Sequence, residues 1–423
     1  MKEKALIFIG FRHKTESIKT AREEGFKTIL LTRKILAKAE GLFDEIFEDN
    51  ILDLKVMDEI IPQLKKKYRI KGIISNYEHY VVIRSYLAER FNIPSTSLYG
   101  AACSRNKAMQ RHAFKFMKEN IDHETVRNEK EGLKALKKLG GDIFLKNIAG
   151  IKSRLIFHIE SEQELKEAFK TINQTIAEKF DEDLYNDYEY CNFDFNYPNP
   201  SNTLLAEKAE YGTQITISSL ASNYTIWHAP SACDIYTAHH LGRKDSFLAF
   251  RILPSKVEPE MIIKAKKATK TAAKILGLRY CPIFTELIVK KNGDIKIIEI
   301  ASRMGGYRPL MYKNAYNFNL NKLLVQSVIG NKVRTNKKAQ NYVSFLEIFP
   351  EKEGRFEKIE NLEKLEKDDK ASEIEIMAEK DAMIGLAKYG NPPCLRFLIK
   401  GNSYNEVYEK SMEYQKLLKV HVK

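Results

Sequence analysis

Cysteine is scarce and scattered: five in 423 residues, Cys103, Cys191, Cys233, Cys281 and Cys394, with no C-x-x-C spacing. That pattern excludes a disulfide framework and a thiolate zinc site, and reads as buried thiols. Long apolar runs are missing too. No stretch approaches the ~18 residues of a membrane span, and the run Ala5–Ile9 is too short for the core of a secretion signal. A cytoplasmic protein with no membrane partner is therefore expected. The first strand-to-helix turn, Gly10-Phe-Arg-His-Lys-Thr15, lacks the G-x-G-x-x-G that seats a dinucleotide pyrophosphate, so that site is excluded. Neither an internal repeat nor a local Ser-His-Asp or Cys-His signature is present, and His239-His240 reads as a polar loop.

Acidic charge is the remaining deficit. Asp and Glu number 56 against 70 Lys and Arg, and the net charge of +14 favours anionic partners such as nucleotides and phosphates. The lysines are spread out. Clusters such as Lys65-Lys66-Lys67 and Lys264-Ala-Lys266-Lys267 read as solvated helix faces, and with no nucleic-acid-binding signature beside them nucleic acid is not expected. An apolar share of 43% with 30% charged residues suits a globular chain, and the length implies several packing units.

Strand-length apolar runs at 5–9, 28–32 and 72–75 alternate with helical stretches, which predicts a parallel sheet with helices on its faces in an α/β unit covering 1–105. A second segment, 106–203, opens on a helix from Asn106 to about Val126. It continues with strands at 143–146 and 154–159 and a helix capped by Ser161 and Glu164. The third, 204–331, carries strands at 204–207, 214–220, 283–290 and 295–300 and a helix over 259–276. The last, 332–423, alternates strand and helix patterns again.

One hairpin concentrates the chemistry. Thr285–Glu299 reads as two strands joined at Asn292-Gly293, residue types suited to a type I′ turn, and that turn sets Glu286 opposite Glu299 on one face. Facing carboxylates are tolerable when solvated, when sharing a proton, or when holding a hard cation such as Mg²⁺. Just beyond stand Arg303 and the pair Gly305-Gly306, a guanidinium and a loop whose backbone can approach a ligand.

This hairpin, followed by Glu-x-Ala-x-Arg and a glycine loop, resembles the core of the ATP-grasp superfamily. The resemblance is greatest to its carboxylate-amine ligases, which include L-amino-acid ligases and carnosine synthase, and it spans nearly the whole chain. It implies an α/β ATP-grasp fold: an N-terminal parallel-sheet domain, a small lid subdomain, and an antiparallel-sheet C-terminal domain. It also implies ATP and Mg²⁺ as cofactors, with Mn²⁺ an alternative ion. By resemblance, Glu286 and Glu299 are the metal ligands and Arg303 the catalytic arginine. Lys107 and Lys146 are the phosphate lysines, and Ser153 belongs to the lid loop. Glu207-Lys208-Ala-Glu-Tyr-Gly212-Thr-Gln214 matches the interdomain hinge, with Glu207 and Lys208 at adenine and Gln214 at the ribose.

Departures are visible as well. Gln214 replaces a Glu, and Ala301 replaces the Asn that is the family's third metal ligand, which implies a weaker second metal. The lid loop is poor in glycine. Either Lys152 and Arg154 add charge there or the loop is a plain turn. The implied reaction joins a carboxylate and an amine, both small molecules and expected to be amino acids, through an acylphosphate. Phosphotransfer to a small molecule and non-catalytic ATP binding are the alternatives, and a homodimer is left open. The acceptor pocket is expected around Tyr307, Arg308 and the segment Trp227 to Arg251. Arg308 or Arg251 would hold an amino-acid carboxylate there, a surface position being the other reading.

Overall fold

The computed structural model describes residues 2–11, 15–150, 155–178, 193–243, 247–335 and 337–423. The first sheet is parallel, in the order β3-β2-β1-β4, built from β1 (Lys4–Ile9), β2 (Lys27–Thr32), β3 (Glu45–Glu48) and β4 (Arg69–Ile74). Its central strand Ala5–Ile9 is buried on both sides, which explains the unbroken apolar run. Helices α1 (Glu16–Glu23), α2 (Leu54–Lys67) and α3 (Val81–Arg90) accompany this sheet. Asp53 caps α2 by accepting from Lys55 N at 2.9 Å, and Lys65, Lys66 and Lys67 fill its last turn, where the helix dipole favours cations.

Helix α4 (Leu98–Arg105) leads to α5 (Lys107–Ala113). The sequence predicts this helix on to about Val126, but it stops at Ala113, and β5 (His123–Val126) pairs with the strand Leu204–Lys208 instead. The second sheet is antiparallel, in the order β5-β8-β6-β7, from β5, β6 (Ile143–Asn147), β7 (Ile156–Ile159) and β8 (Leu204–Lys208). Helices α6 (Glu129–Lys138) and α7 (Glu162–Glu178) share its core. At the start of α7, Ser161 Oγ accepts from Glu164 N at 3.2 Å while Glu164 accepts from Glu160 N at 2.8 Å.

The third sheet has nine strands in the order β14-β13-β9-β11-β12-β15-β19-β17, with β10 paired to β9. Its strands are β9 (Thr213–Ala221), β10 (Ile226–His228), β11 (Cys233–Thr237), β12 (Leu248–Leu253), β13 (Cys281–Val289), β14 (Ile295–Ala301), β15 (Tyr342–Ile348), β17 (Ala371–Ile376) and β19 (Leu395–Gly401). The strand between the last three, β16 (Gly354–Glu360), belongs to a separate small sheet with β18 (Met383–Ile384) and β20 (Lys419–Val422). Because β15 hydrogen-bonds to β12, the chain after 332 continues the sheet begun by the third segment.

Alternation decides the two faces of this sheet. Ile215, Ile217, Ile283, Leu287 and Ile297 pack under helix α8 (Pro259–Ile275), whose buried Ala265, Ala268, Ala272 and Ala273 allow close approach. The intervening residues Gln214, Thr216, Phe284, Glu286 and Glu299 therefore look the other way, toward the loop at 302–307 and helix α9 (Arg308–Tyr316). Among the described residues no helix is long and apolar enough to cross a membrane. Cys103, Cys233, Cys281 and Cys394 are free and buried, as expected, and Cys191 lies outside the described residues.

Candidate active site

Glu286 does stand opposite Glu299, but by a different route from the one the sequence suggests. The hairpin closes with Lys290 N donating to Asp294 O at 2.9 Å and Gly293 N to Lys290 O at 3.0 Å, a three-residue loop rather than a two-residue type I′ turn. Of the Asn292-Gly293 pair only Gly293 takes a positive φ, +85°. Ladder pairs then run Val289–Ile295, Ile288–Lys296 and Leu287–Ile297, a register that by itself would miss the glutamate pair by one residue. A bulge corrects it: Ile298 is passed over, and pairing resumes at Glu286–Glu299.

Strand β14 is the edge of the sheet, and α5 covers it. The buried Arg111 donates to the carbonyls of Ile297 (2.8 Å) and Ile298 (2.6 Å), the groups the bulge exposes. Gln110 accepts from Ile300 N at 3.0 Å and donates to Ile300 O at 2.8 Å. These side chains occupy an edge that would otherwise remain open to pairing.

Cations surround the carboxylates. Lys107 follows Asn106, whose side chain caps α5 by accepting from Ala108 N and Met109 N. The cap fixes the start of the helix, and Lys107 Nζ lies 3.0 Å from Glu299 and 2.8 Å from Gly150 O. Burial raises the Glu286 carboxyl above its ordinary value and the neighbouring Glu299 charge adds to this, while Arg303, Lys107 and Arg308 oppose them. A site that resists ionisation of a carboxylate between cations is one that an added cation would relieve. The donor set, two carboxylates and no sulfur or nitrogen, suits Mg²⁺. Ala301 sits on the same face opposite Phe284 and offers no ligand atom.

Arg303 is held by an ion pair with Glu78, a buried carboxylate from the loop after β4, and lies over the Phe284 ring at 5.2 Å. Burial raises the Glu78 carboxyl, but Arg303 and Arg105 outweigh it and the balance lies below the usual range. Glu78 is not among the residues that the sequence motifs single out. A signal existed, since loops at the carboxyl ends of parallel strands are where open α/β sheets bind ligands.

Lys146 forms a second centre. Glu207, wholly buried, accepts from Arg111 Nε at 2.5 Å and pairs with Lys146. Burial alone would raise its carboxyl; Arg111 and Lys146 reverse this and hold it at about 2. Lys146 moves down from its ordinary value because burial, helped by Arg111, exceeds what a shared carboxylate returns. The trio carries one excess positive charge. Lys208, the next residue on β8, is exposed and is not brought into this cluster, since successive strand residues face opposite ways. Gln214 is half-buried beside Ile288 on the glutamate face. Ser153, Lys152 and Arg154 lie outside the described residues.

Two glycines of the loop differ in their duties. A Cβ on Gly305 would stand 2.4 Å from the Phe284 ring and 2.9 Å from Arg308 Cγ, whereas one on Gly306 would meet nothing within 4 Å. Gly305→Ala is therefore expected to destabilise the protein by about 1–3 kcal/mol and lower activity, and Gly306→Ala to leave stability unchanged within about 0.5 kcal/mol. Thermal melting of the two variants side by side checks this.

Arg308 and Arg251 are both buried, at 2% and 3% exposure, which settles against a surface position. Tyr307 stacks on Phe345 with centroids 3.9 Å apart and has a left-handed backbone, φ +61°. Strands β10, β11 and β12 run through the segment from Trp227 to Arg251 that the sequence marks only as pocket lining.

No protein-family model matches the sequence, and no curated protein is detectably similar to it. Solved structures nonetheless share its fold. An L-amino acid ligase from Bacillus licheniformis superposes at TM-score 0.77 with 17% identity over 100% of both chains. Phosphoribosylglycinamide synthetase from Anaerococcus prevotii follows at TM-score 0.66 and 21% identity, again over 100% of both. The biotin carboxylase domain of 2-oxoglutarate carboxylase from Hydrogenobacter thermophilus, solved with MgADP, ADP and bicarbonate, gives 0.70 and 15% over 100% of this chain and 91% of that one. The chain thus has the ATP-grasp fold, with its parallel first sheet and antiparallel second and third sheets.

Proposed function

We propose that this protein is an ATP-dependent, ADP-forming ligase that joins a carboxylate to an amine. The observation that carries the reading is the Glu286–Glu299 pair, set on one face of the sheet with Lys107 3.0 Å from Glu299 and the charge of both carboxylates felt at Arg303. Its placement in a fold shared with an amino acid ligase supports the same reaction class.

Glu286 and Glu299 would hold the divalent ion, Mg²⁺ with Mn²⁺ as a substitute. When bound, it would neutralise charge on phosphate oxygens; Ala301 adds no ligand atom to the pair. Lys107 and Lys146 orient the triphosphate; Lys146 is the cation whose carboxylate is already shared, so it retains charge for a phosphate. In the first step an oxygen of the substrate carboxylate bonds to the γ-phosphorus as the bond to the ADP oxygen breaks. In the second, the amine nitrogen attacks the acylphosphate carbonyl, phosphate leaves with the bonding pair, and the nitrogen loses a proton. Both steps are governed by positioning and charge rather than by a side-chain nucleophile. Arg303, oriented by Glu78, faces the oxygens on which negative charge develops. Gln214 accepts from a ribose hydroxyl, and Glu207 lies at the adenine end.

The test is release of ADP and phosphate from MgATP over a panel of amino acids, with mass detection of product. Amide formation that requires both an acid and an amine is expected. A phosphorylated small molecule as the final product, or nucleotide binding with no turnover on any pair, would refute ligation.

A further inference from the structure

Helix α3 carries a buried cation, Arg84, at 2% exposure. Among the described residues its hydrogen bonds run to neutral groups alone. Nη1 donates to Ser302 O at 3.0 Å, and Nη2 to Ser302 Oγ at 3.3 Å and Ser85 Oγ at 3.4 Å, while Nε has no acceptor there. Burial pulls the guanidinium below its ordinary value, and Cys281 and Glu78, which act the other way, fall short. Adhesion of the helix does not call for that charge. Val81, Val82, Ile83 and Leu87 beside it are buried and apolar, and burying a cation without a carboxylate costs more than burying another apolar side chain.

What Arg84 grips is the main chain one residue before Arg303. Ser104 Oγ donates to Ala101 O at 2.8 Å, so at its 2.7 Å contact with Ser302 Oγ it accepts, and the Ser302 hydroxyl keeps its lone pairs for Arg84. Helices α3 and α4 thereby fix Ser302 together. The peptide joining Ser302 to Arg303 is planar, so a carbonyl with a set direction also sets the plane from which the Arg303 side chain departs. Glu78 takes the guanidinium at the far end of that side chain. Both holders belong to one short segment, the turn Glu78–Tyr80 and the helix that follows it. Upstream on β14 Gln110 holds Ile300 N and O, and Arg111 the Ile297 and Ile298 carbonyls. Ala301 is the last paired position of that strand, and Arg84 continues the row of grips just past it.

We propose that Arg84 is a positioning residue for Arg303: without touching a reactant, it fixes the backbone from which that guanidinium reaches the Glu286–Glu299 site. The proposal rests on the ligase reading for what Arg303 does, and on hydrogen-bond geometry for how it is held. It makes the N-terminal unit part of the active site through two side chains, one at each end of Arg303.

The experiment compares full-length wild type, Arg84→Met and Arg84→Lys, each also in an Arg303→Lys background. Methionine fills much of the same space without donors or charge, so the melting temperature is expected to hold or rise. For ADP release with the productive substrate pair, Arg84→Met should lower kcat about tenfold or more with the KM for MgATP changed less than about threefold, and Arg84→Lys should fall between. In the Arg303→Lys background the same substitution should cost no more than about twofold, because the residue it positions is gone. A loss of similar size in both backgrounds overturns the proposal, as does a wild-type kcat in Arg84→Met. A second readout needs no turnover. In protein carrying isotope-labelled arginine, nuclear magnetic resonance follows the Arg303 Nε–H that donates to Glu78, identified by its loss in Arg303→Lys. Its exchange with solvent should quicken about tenfold or more in Arg84→Met, while the Arg111 Nε–H held by Glu207 keeps its rate. If melting curves show that Arg84→Met fails to fold, Arg84→Lys carries both readouts. Quickened exchange without amide product on any pair would keep Arg84 in its role and refute the ligase. Amide product with kcat and exchange both unchanged would do the reverse, and no product with unchanged exchange would overturn both.

Discussion

Replacing Glu286 and Glu299 together with alanine is expected to lower MgATP turnover by about a thousandfold or more while leaving the fold intact. The two residues face each other across the β13–β14 ladder, and burial already works against ionising Glu286. Their removal takes away a repulsive pair but also the anion beside Lys107, so the two effects oppose and the melting temperature should shift little. On the proposed ligase reading, what is lost is the means of neutralising phosphate charge, an effect of several kcal/mol on the barrier, and about 4 kcal/mol corresponds to three powers of ten. Steady-state rates across a Mg²⁺ titration, set beside melting curves, check both halves. A raised Glu286 carboxyl also means that protons compete with the cation. Apparent Mg²⁺ affinity in the wild type should therefore weaken as pH falls toward the raised value, beginning above the ordinary 4.5.

The second large effect concerns stability. Glu207→Ala is expected to destabilise the protein by about 3–5 kcal/mol, because it leaves Arg111 and Lys146 buried without their shared anion. The pH dependence of the wild type should carry the same signature. Glu207 is held down from an ordinary 4.5 to about 2, so its contribution is complete above the unfolded value and is lost as pH falls through about 2. The depression corresponds to roughly 3 kcal/mol. Urea unfolding of wild type and Glu207→Ala at pH 7 and again near pH 2.5 checks the prediction, since the gap between the two proteins should narrow in acid. An unchanged gap would mean that the trio contributes nothing through charge.

Legibility in the sequence followed the local forces. Runs such as Ala5–Ile9 and the alternation of Thr285–Val289 are set by burial on two faces or one, and both appear as strands where expected. Glu286 and Glu299 were paired correctly on the strength of a turn that does not form. The three-residue loop shifts the ladder by one and the bulge at Ile298 shifts it back, and a bulge has no local sequence mark. The end of α5 at Ala113 was lost for a related reason: the chain leaves the helix to supply β5, a choice decided by the distant strand β8. Glu78, Arg111, and the pairing of Arg251 with Glu347 depend on contacts between residues about a hundred or more positions apart, which composition and periodicity do not encode.

One guanidinium in this structure spans two jobs. Arg111 grips Glu207 with its Nε and, with its other two nitrogens, the pair of carbonyls at the kink that aims Glu299. A displacement of Glu207 at one end of this guanidinium is thereby passed to the strand that carries an acidic side chain at the other. The two ends are linked as by a crank, and slack at either would show up as misalignment at its opposite.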